Sequence, residues 1–126
     1  MSKKIGLMGC GNVATYGHLP AIRDTDGLDL HAVYDPDPAR ARDLASPDRF
    51  NVRHACHTED AFFATGLDAV AITSPAPAHE ANVAAAAAHG LPILCEKPLA
   101  MSREQGQRMI NAADAAGVPL YVAFCY

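Results

Sequence analysis

Six residues, Gly9-Cys10-Gly11-Asn12-Val13-Ala14, limit what this chain can fold into more than any other segment does. They follow a short apolar run at 4–8 and lead into a helix-forming stretch, so they read as G-x-G-x-x-A in a strand-turn-helix setting. Each small residue has a task in that setting. Gly9 permits the tight turn, Gly11 lets the backbone approach a pyrophosphate, and Ala14 lets the helix lie close to the strand. The first amides of the helix, around Asn12 and Val13, then face the anion. Asp35 ends the next strand about 20 residues further on, where a carboxylate can accept hydrogen bonds from an adenosine ribose and would repel a 2′-phosphate. NAD is the expected cofactor, with NADP kept as the lesser alternative because Arg40 and Arg42 stand close in sequence.

The rest of the chain continues the pattern. Apolar strand-like runs recur at 4–8, 28–34, 52–56, 68–73, 92–95 and 119–124, separated by helix-forming stretches, which predicts β-α alternation with parallel strands. Asp37 before Pro38 reads as a helix cap, Ser102 with Gln105 as a capping box, and Gly90 and Gly117 as helix stops. Residues 78–89 are mostly alanine, which favours helix and permits close approach to a sheet. Phe62 and Phe63 read as anchors of a short helix, and 42–53 is polar enough to contain a loop. The expected fold is α/β, a doubly wound parallel Rossmann sheet of order 3-2-1-4-5-6 formed by residues 1–126 as one domain.

Composition narrows the partners. The chain has 126 residues, and its net charge of −4 and scattered Lys and Arg give no basic face for nucleic acid or an anionic membrane. No apolar stretch approaches the roughly 20 residues needed to cross a bilayer, and no signal peptide is read at the start. Cys10, Cys56, Cys95 and Cys125 are widely spaced, so reduced, buried thiols in a cytoplasmic protein are expected. His54, Cys56 and His57 do not make a metal site on a strand, because His57 points away from the other two. Cys10 is assigned to packing rather than to reactivity.

Glu96-Lys97-Pro98 stands directly after the run at 92–95, at the strand end where open α/β sheets bind ligands. With the glycine loop, Asp35, and Thr73-Ser74-Pro75 followed by His79, it makes the chain resemble the N-terminal domain of the glucose-fructose oxidoreductase and inositol dehydrogenase family (Gfo/Idh/MocA). The resemblance covers essentially the whole chain. It implies an oxidoreductase that moves hydride between a nicotinamide cofactor and a hydroxyl-bearing substrate such as a sugar or polyol. It also implies that Ser74 and Pro75 line the cofactor cleft, that His79 faces it, that Glu96 lies near the nicotinamide, and that Lys97 points to the reacting carbon, with Lys97-Pro98 as a cis peptide.

Physical chemistry supports the role given to Lys97. Oxidising an alcohol requires its hydroxyl proton to leave, and a lysine made less basic by partial burial and by a positive nicotinamide ring suits that task. The family's second, α+β substrate domain, with its usual aspartate and histidine, has no counterpart here, so the fragment alone is expected to be inactive. A homo-oligomer is expected for the intact enzyme. The alternative reading is a non-catalytic dinucleotide-binding or sensing module. A methyltransferase-like domain is disfavoured because it leaves Glu96-Lys97-Pro98 without a task.

Overall fold

Apolar runs that alternate with helices bury best as strands lying side by side in one direction, with the helices returning across both faces. The computed structural model describes residues 2–124 and contains six strands: β1 (Lys3–Met8), β2 (Leu28–Tyr34), β3 (His54–Cys56), β4 (Ala69–Ile72), β5 (Ile93–Glu96) and β6 (Leu120–Ala123). All neighbours pair in parallel in the expected order β3-β2-β1-β4-β5-β6. The order in which successive strands are added reverses between β1 and β4, where Met8 pairs with Ile72. Such a switch point opens a crevice beyond the carboxyl ends of the strands.

Side chains that alternate along each strand divide the core in two. Leu7, Val33 and Ala71 pack with Leu19, Ile22 and Leu44, on the face covered by α1 (Leu19–Arg23) and α2 (Pro38–Ala45). Met8, Val70, Ile72 and Ile93 pack with Phe62, Val83 and Met109, on the face covered by α3 (Glu59–Phe63), α4 (Ala76–Ala88) and α5 (Arg103–Ala116). The alanine-rich α4 buries Val83, Ala86 and Ala87. Gly6 on β1 leaves a slot that Phe62 and Leu67 fill; a Cβ there would stand 2.5 Å from the Phe62 ring.

Local chemistry sets the helix ends. Asp37 accepts from the Ala39 N–H at 3.0 Å and starts α2, and Thr58, unanticipated, accepts from Ala61 to start α3. The capping box is shifted by one residue: Ser102 accepts from the Gln105 N–H, but the Gln105 side chain takes the N–H of Met101. Strand β3 is shorter than the run at 52–56, because Val52 donates to the Ala45 carbonyl and so still belongs to the turn after α2. Cys10, Cys56 and Cys95 are buried and free, as expected; Cys125 lies outside the described residues. No helix among the described residues is long and apolar enough to cross a membrane.

Candidate functional site

The glycine loop is held from both sides. Gly9 donates to the Tyr34 carbonyl, and Thr73 just after β4 donates its N–H to the Met8 carbonyl and its hydroxyl to the carbonyls of Gly9 at 2.7 Å and Met8 at 3.2 Å. Gly9 has φ +104, and a Cβ on it would meet the Ser74 backbone nitrogen at 2.4 Å. Its tight turn therefore serves a close approach between the loop and the β4–α4 connection. Gly11 differs, since a Cβ there would meet nothing within 4 Å.

Among the described residues no protein acceptor takes the N–H of Gly11, Asn12 or Val13. Free N–H groups at the start of a helix, beside open space, form a cradle that fits a pyrophosphate. Replacing Gly11 by alanine is thus expected to leave the unfolding midpoint nearly unchanged and to weaken dinucleotide binding about ten- to a hundredfold, by filling space with a methyl group. Calorimetric titration beside thermal unfolding checks this, and unchanged affinity would show that the ligand lies elsewhere.

Asp35 is buried at 7 % exposure, with both carboxylate oxygens engaged. Oδ2 accepts from the Cys10 N–H and Oδ1 from the Asp37 N–H, each at 2.9 Å. Its lone pairs outnumber these two donors, so it can still accept from a ribose. Beside it opens a polar pocket of about 400 Å³ lined by Gly11, Asn12, Thr15, Arg40, Asp43 and Arg49. Each arginine already faces an aspartate: Arg40 lies 3.8 Å from Asp37, and Arg49 contacts Asp43. Burial first, and then the Asp35 charge, push the Cys10 thiol up to about 12, which leaves it protonated and unreactive at neutral pH.

At the ends of β4 and β5 the residues take different parts. Ser74 donates its hydroxyl to Asn82 at 2.5 Å, and Pro75 is exposed at the start of α4. His79 does not face the cleft. It is 1 % exposed, with Nε2 2.8 Å from the Ser74 carbonyl oxygen and Nδ1 3.0 and 3.1 Å from those of Pro98 and Leu99. Whichever nitrogen carries the proton, the ring bridges the β4–α4 connection and the turn after β5. A histidine one turn into a helix can point either way, and here the β5 turn folds over it.

Lys97 is exposed to solvent, as expected for this chain by itself, and Lys97-Pro98 is cis, as expected. Glu96 turns inward instead. Its Oε2 accepts from the Lys97 N–H at 2.9 Å, and its Oε1 lies 3.0 Å from Nε2 of His18. Burial pushes this carboxyl up, but the bonds from His18 and Lys97, together with their charges, outweigh burial and hold it below the usual carboxylate range.

His18 is a site residue that the sequence motifs do not single out, and Thr73 stands in the Thr73-Ser74-Pro75 motif without a role of its own there. His18 has a faint signal, a polar residue four positions from buried Ala14 and four from buried Ile22. His54 packs edge-on to His31, with ring centroids 4.8 Å apart, and no cluster of metal-ligating side chains occurs among the described residues. A mostly apolar groove of about 360 Å³, lined by Ala21, Leu28, Ala71, Leu94 and Tyr121 and bordered by His18, lacks the convergent polar groups that orient a nucleotide.

Known proteins resemble this chain in sequence and in fold. The family model described as oxidoreductase family, NAD-binding Rossmann fold (GFO_IDH_MocA), matches residues 3–124. The chain is 36 % identical over 120 residues to an inositol 2-dehydrogenase of Burkholderia multivorans, covering 95 % of this chain and 36 % of that one. It is 37 % identical to a D-apiose dehydrogenase of Paraburkholderia graminis, covering 94 % of this chain and 31 % of the relative. An oxidoreductase from Agrobacterium radiobacter, solved with NAD+, L-tartaric acid and magnesium, superposes with a TM-score of 0.89 at 33 % identity, covering 97 % of this chain and 35 % of that structure. The chain thus spans about a third of the length of the relatives it matches.

Proposed function

The chain belongs to the GFO_IDH_MocA oxidoreductase family, and from that premise we propose that it forms one NAD-binding domain of a dehydrogenase acting on hydroxyl-bearing substrates such as sugars or polyols. The observation that carries this reading is the open backbone cradle at Gly11, which follows the carboxyl end of β1 in the parallel sheet whose strand β5 leads into the exposed Lys97. The residues present fit a dinucleotide. Gly9, Gly11, Asn12 and Val13 hold the pyrophosphate, Asp35 the adenosine ribose, Ser74 and Pro75 the wall of the cleft, and Glu96 the nicotinamide end. His79 serves as a support for that wall, since its ring nitrogens already meet three carbonyls.

Bound NAD supplies the hydride acceptor for the reaction. Lys97 would contact the substrate hydroxyl and accept its proton while the carbon passes hydride to the bound nicotinamide, the step that needs a positioned base. Exposure leaves its amine free to reach an oxygen outside the domain. Glu96 fixes the Lys97 backbone through the bond to its N–H. Asp35 repels a 2′-phosphate, and the pairing of Arg40 and Arg49 with aspartates lowers their appeal to one, so NAD is preferred to NADP. The buried free thiols suit a reducing compartment such as the cytoplasm, and homo-oligomers are proposed for the intact enzyme.

Titrating the chain with NAD in a calorimeter tests the reading. Saturable binding at or below millimolar concentration is expected, tighter than for NADP, with very little polyol dehydrogenation by the chain alone. Failure to saturate at millimolar NAD would remove the foundation of the proposal.

A further inference from the structure

The helix after the glycine loop does not keep α-helical spacing. Thr15 donates to the Gly11 carbonyl four residues back, but Leu19 donates to Ala14 five back, closing a π turn over Ala14–His18. The extra residue rotates the succeeding turns by about 100° relative to an unbroken α-helix. Such turns concentrate at functional sites. Here the turn ends on His18, whose ring meets Glu96, 78 residues away in sequence, with both side chains 14 % exposed. The second Glu96 oxygen holds the N–H of Lys97.

We propose that His18 is a positioning residue that acts through Glu96. It locks the carboxylate in the rotamer that carries the Lys97 turn, so the pyrophosphate-binding helix and the nicotinamide end of the site are set in one frame. This rests on the dinucleotide reading above. The bond from the Lys97 N–H does not replace it, because that bond restrains Glu96 only from its own turn. The π turn and the part-buried pair are separate observations that point the same way.

The test compares NAD with ADP-ribose, which lacks the nicotinamide, on the 126-residue chain. His18→Ala is expected to weaken NAD about tenfold, or about 1.4 kcal/mol, and to leave ADP-ribose within about twofold. His18→Gln, which can still donate to Glu96, should restore NAD affinity. The Lys97 amide resonance should shift in His18→Ala and return in His18→Gln. Equal losses for both ligands, or failure of glutamine to restore NAD while the variant remains folded by thermal unfolding, would overturn the positioning role alone. Absence of binding of either ligand to the unsubstituted chain would overturn the dinucleotide reading and this inference with it.

Discussion

Replacing Gly9 with alanine is expected to destabilise the protein by about 2–6 kcal/mol, a large share of the roughly 5–15 kcal/mol that a domain typically has. Two costs combine. At φ +104 an L side chain is strained, by about 1–3 kcal/mol. The added Cβ would also stand 2.4 Å from the Ser74 nitrogen and 2.5 Å from its Cα. These are backbone atoms, which cannot swing aside as the end of a side chain can, and overpacking of this kind costs about 1–3 kcal/mol more. Relief would require the β4–α4 connection to separate from the loop, breaking the bonds that Thr73 makes to Met8 and Gly9. A fall in melting temperature of about 10–20 °C is the expected reading. A fall of less than about 3 °C would show that the two segments are not pressed together. Gly11→Ala serves as the control, since it lies in the same loop but has open space around it.

Asp35→Ala is expected to act on both stability and binding. The carboxylate accepts from two backbone N–H groups, and removing it leaves the N–H of Cys10 without a partner in a buried place. Losing charge-assisted bonds of this kind costs about 2–4 kcal/mol in total. NAD affinity should fall about ten- to a hundredfold with the loss of the ribose acceptor, and NADP affinity should fall less, because the same substitution removes a repulsion of the 2′-phosphate. Asp35→Asn should be intermediate in stability, as one oxygen remains while the amide nitrogen turns a donor toward a donor. Urea unfolding and paired titrations with NAD and NADP read the two effects separately. Equal losses for the two cofactors would refute the ribose assignment and leave Asp35 as a fastener of the glycine loop.

Much of the fold is legible in the residues alone. β-α alternation predicts parallel strands, the glycine fingerprint selects the dinucleotide-binding order among the doubly wound ones, and all six strands lie where apolar runs place them. The helix caps at Asp37 and Ser102 are visible because a cap is settled among residues two or three apart. Thr58 carries the same kind of signal, though a weaker one, ahead of a helix of five residues. The end of α2 is less readable: whether Val52 joins a strand or a turn depends on its bond to Ala45, and the apolar run gives no hint of that choice.

Of the candidate site, the sequence determined the members whose chemistry is local: the small residues of the glycine loop, the carboxylate after β2, and the charged turn after β5. Tertiary structure decided what each faces. It pressed Gly9 against Ser74, turned Asp35 back onto the loop, drew His79 inward beneath the β5 turn, and brought His18 to Glu96. The reason is range. A turn or a cap is settled by neighbours within about four residues, whereas these contacts join segments up to 78 residues apart in sequence. Such segments meet only because the sheet sets β1 beside β4 and β4 beside β5.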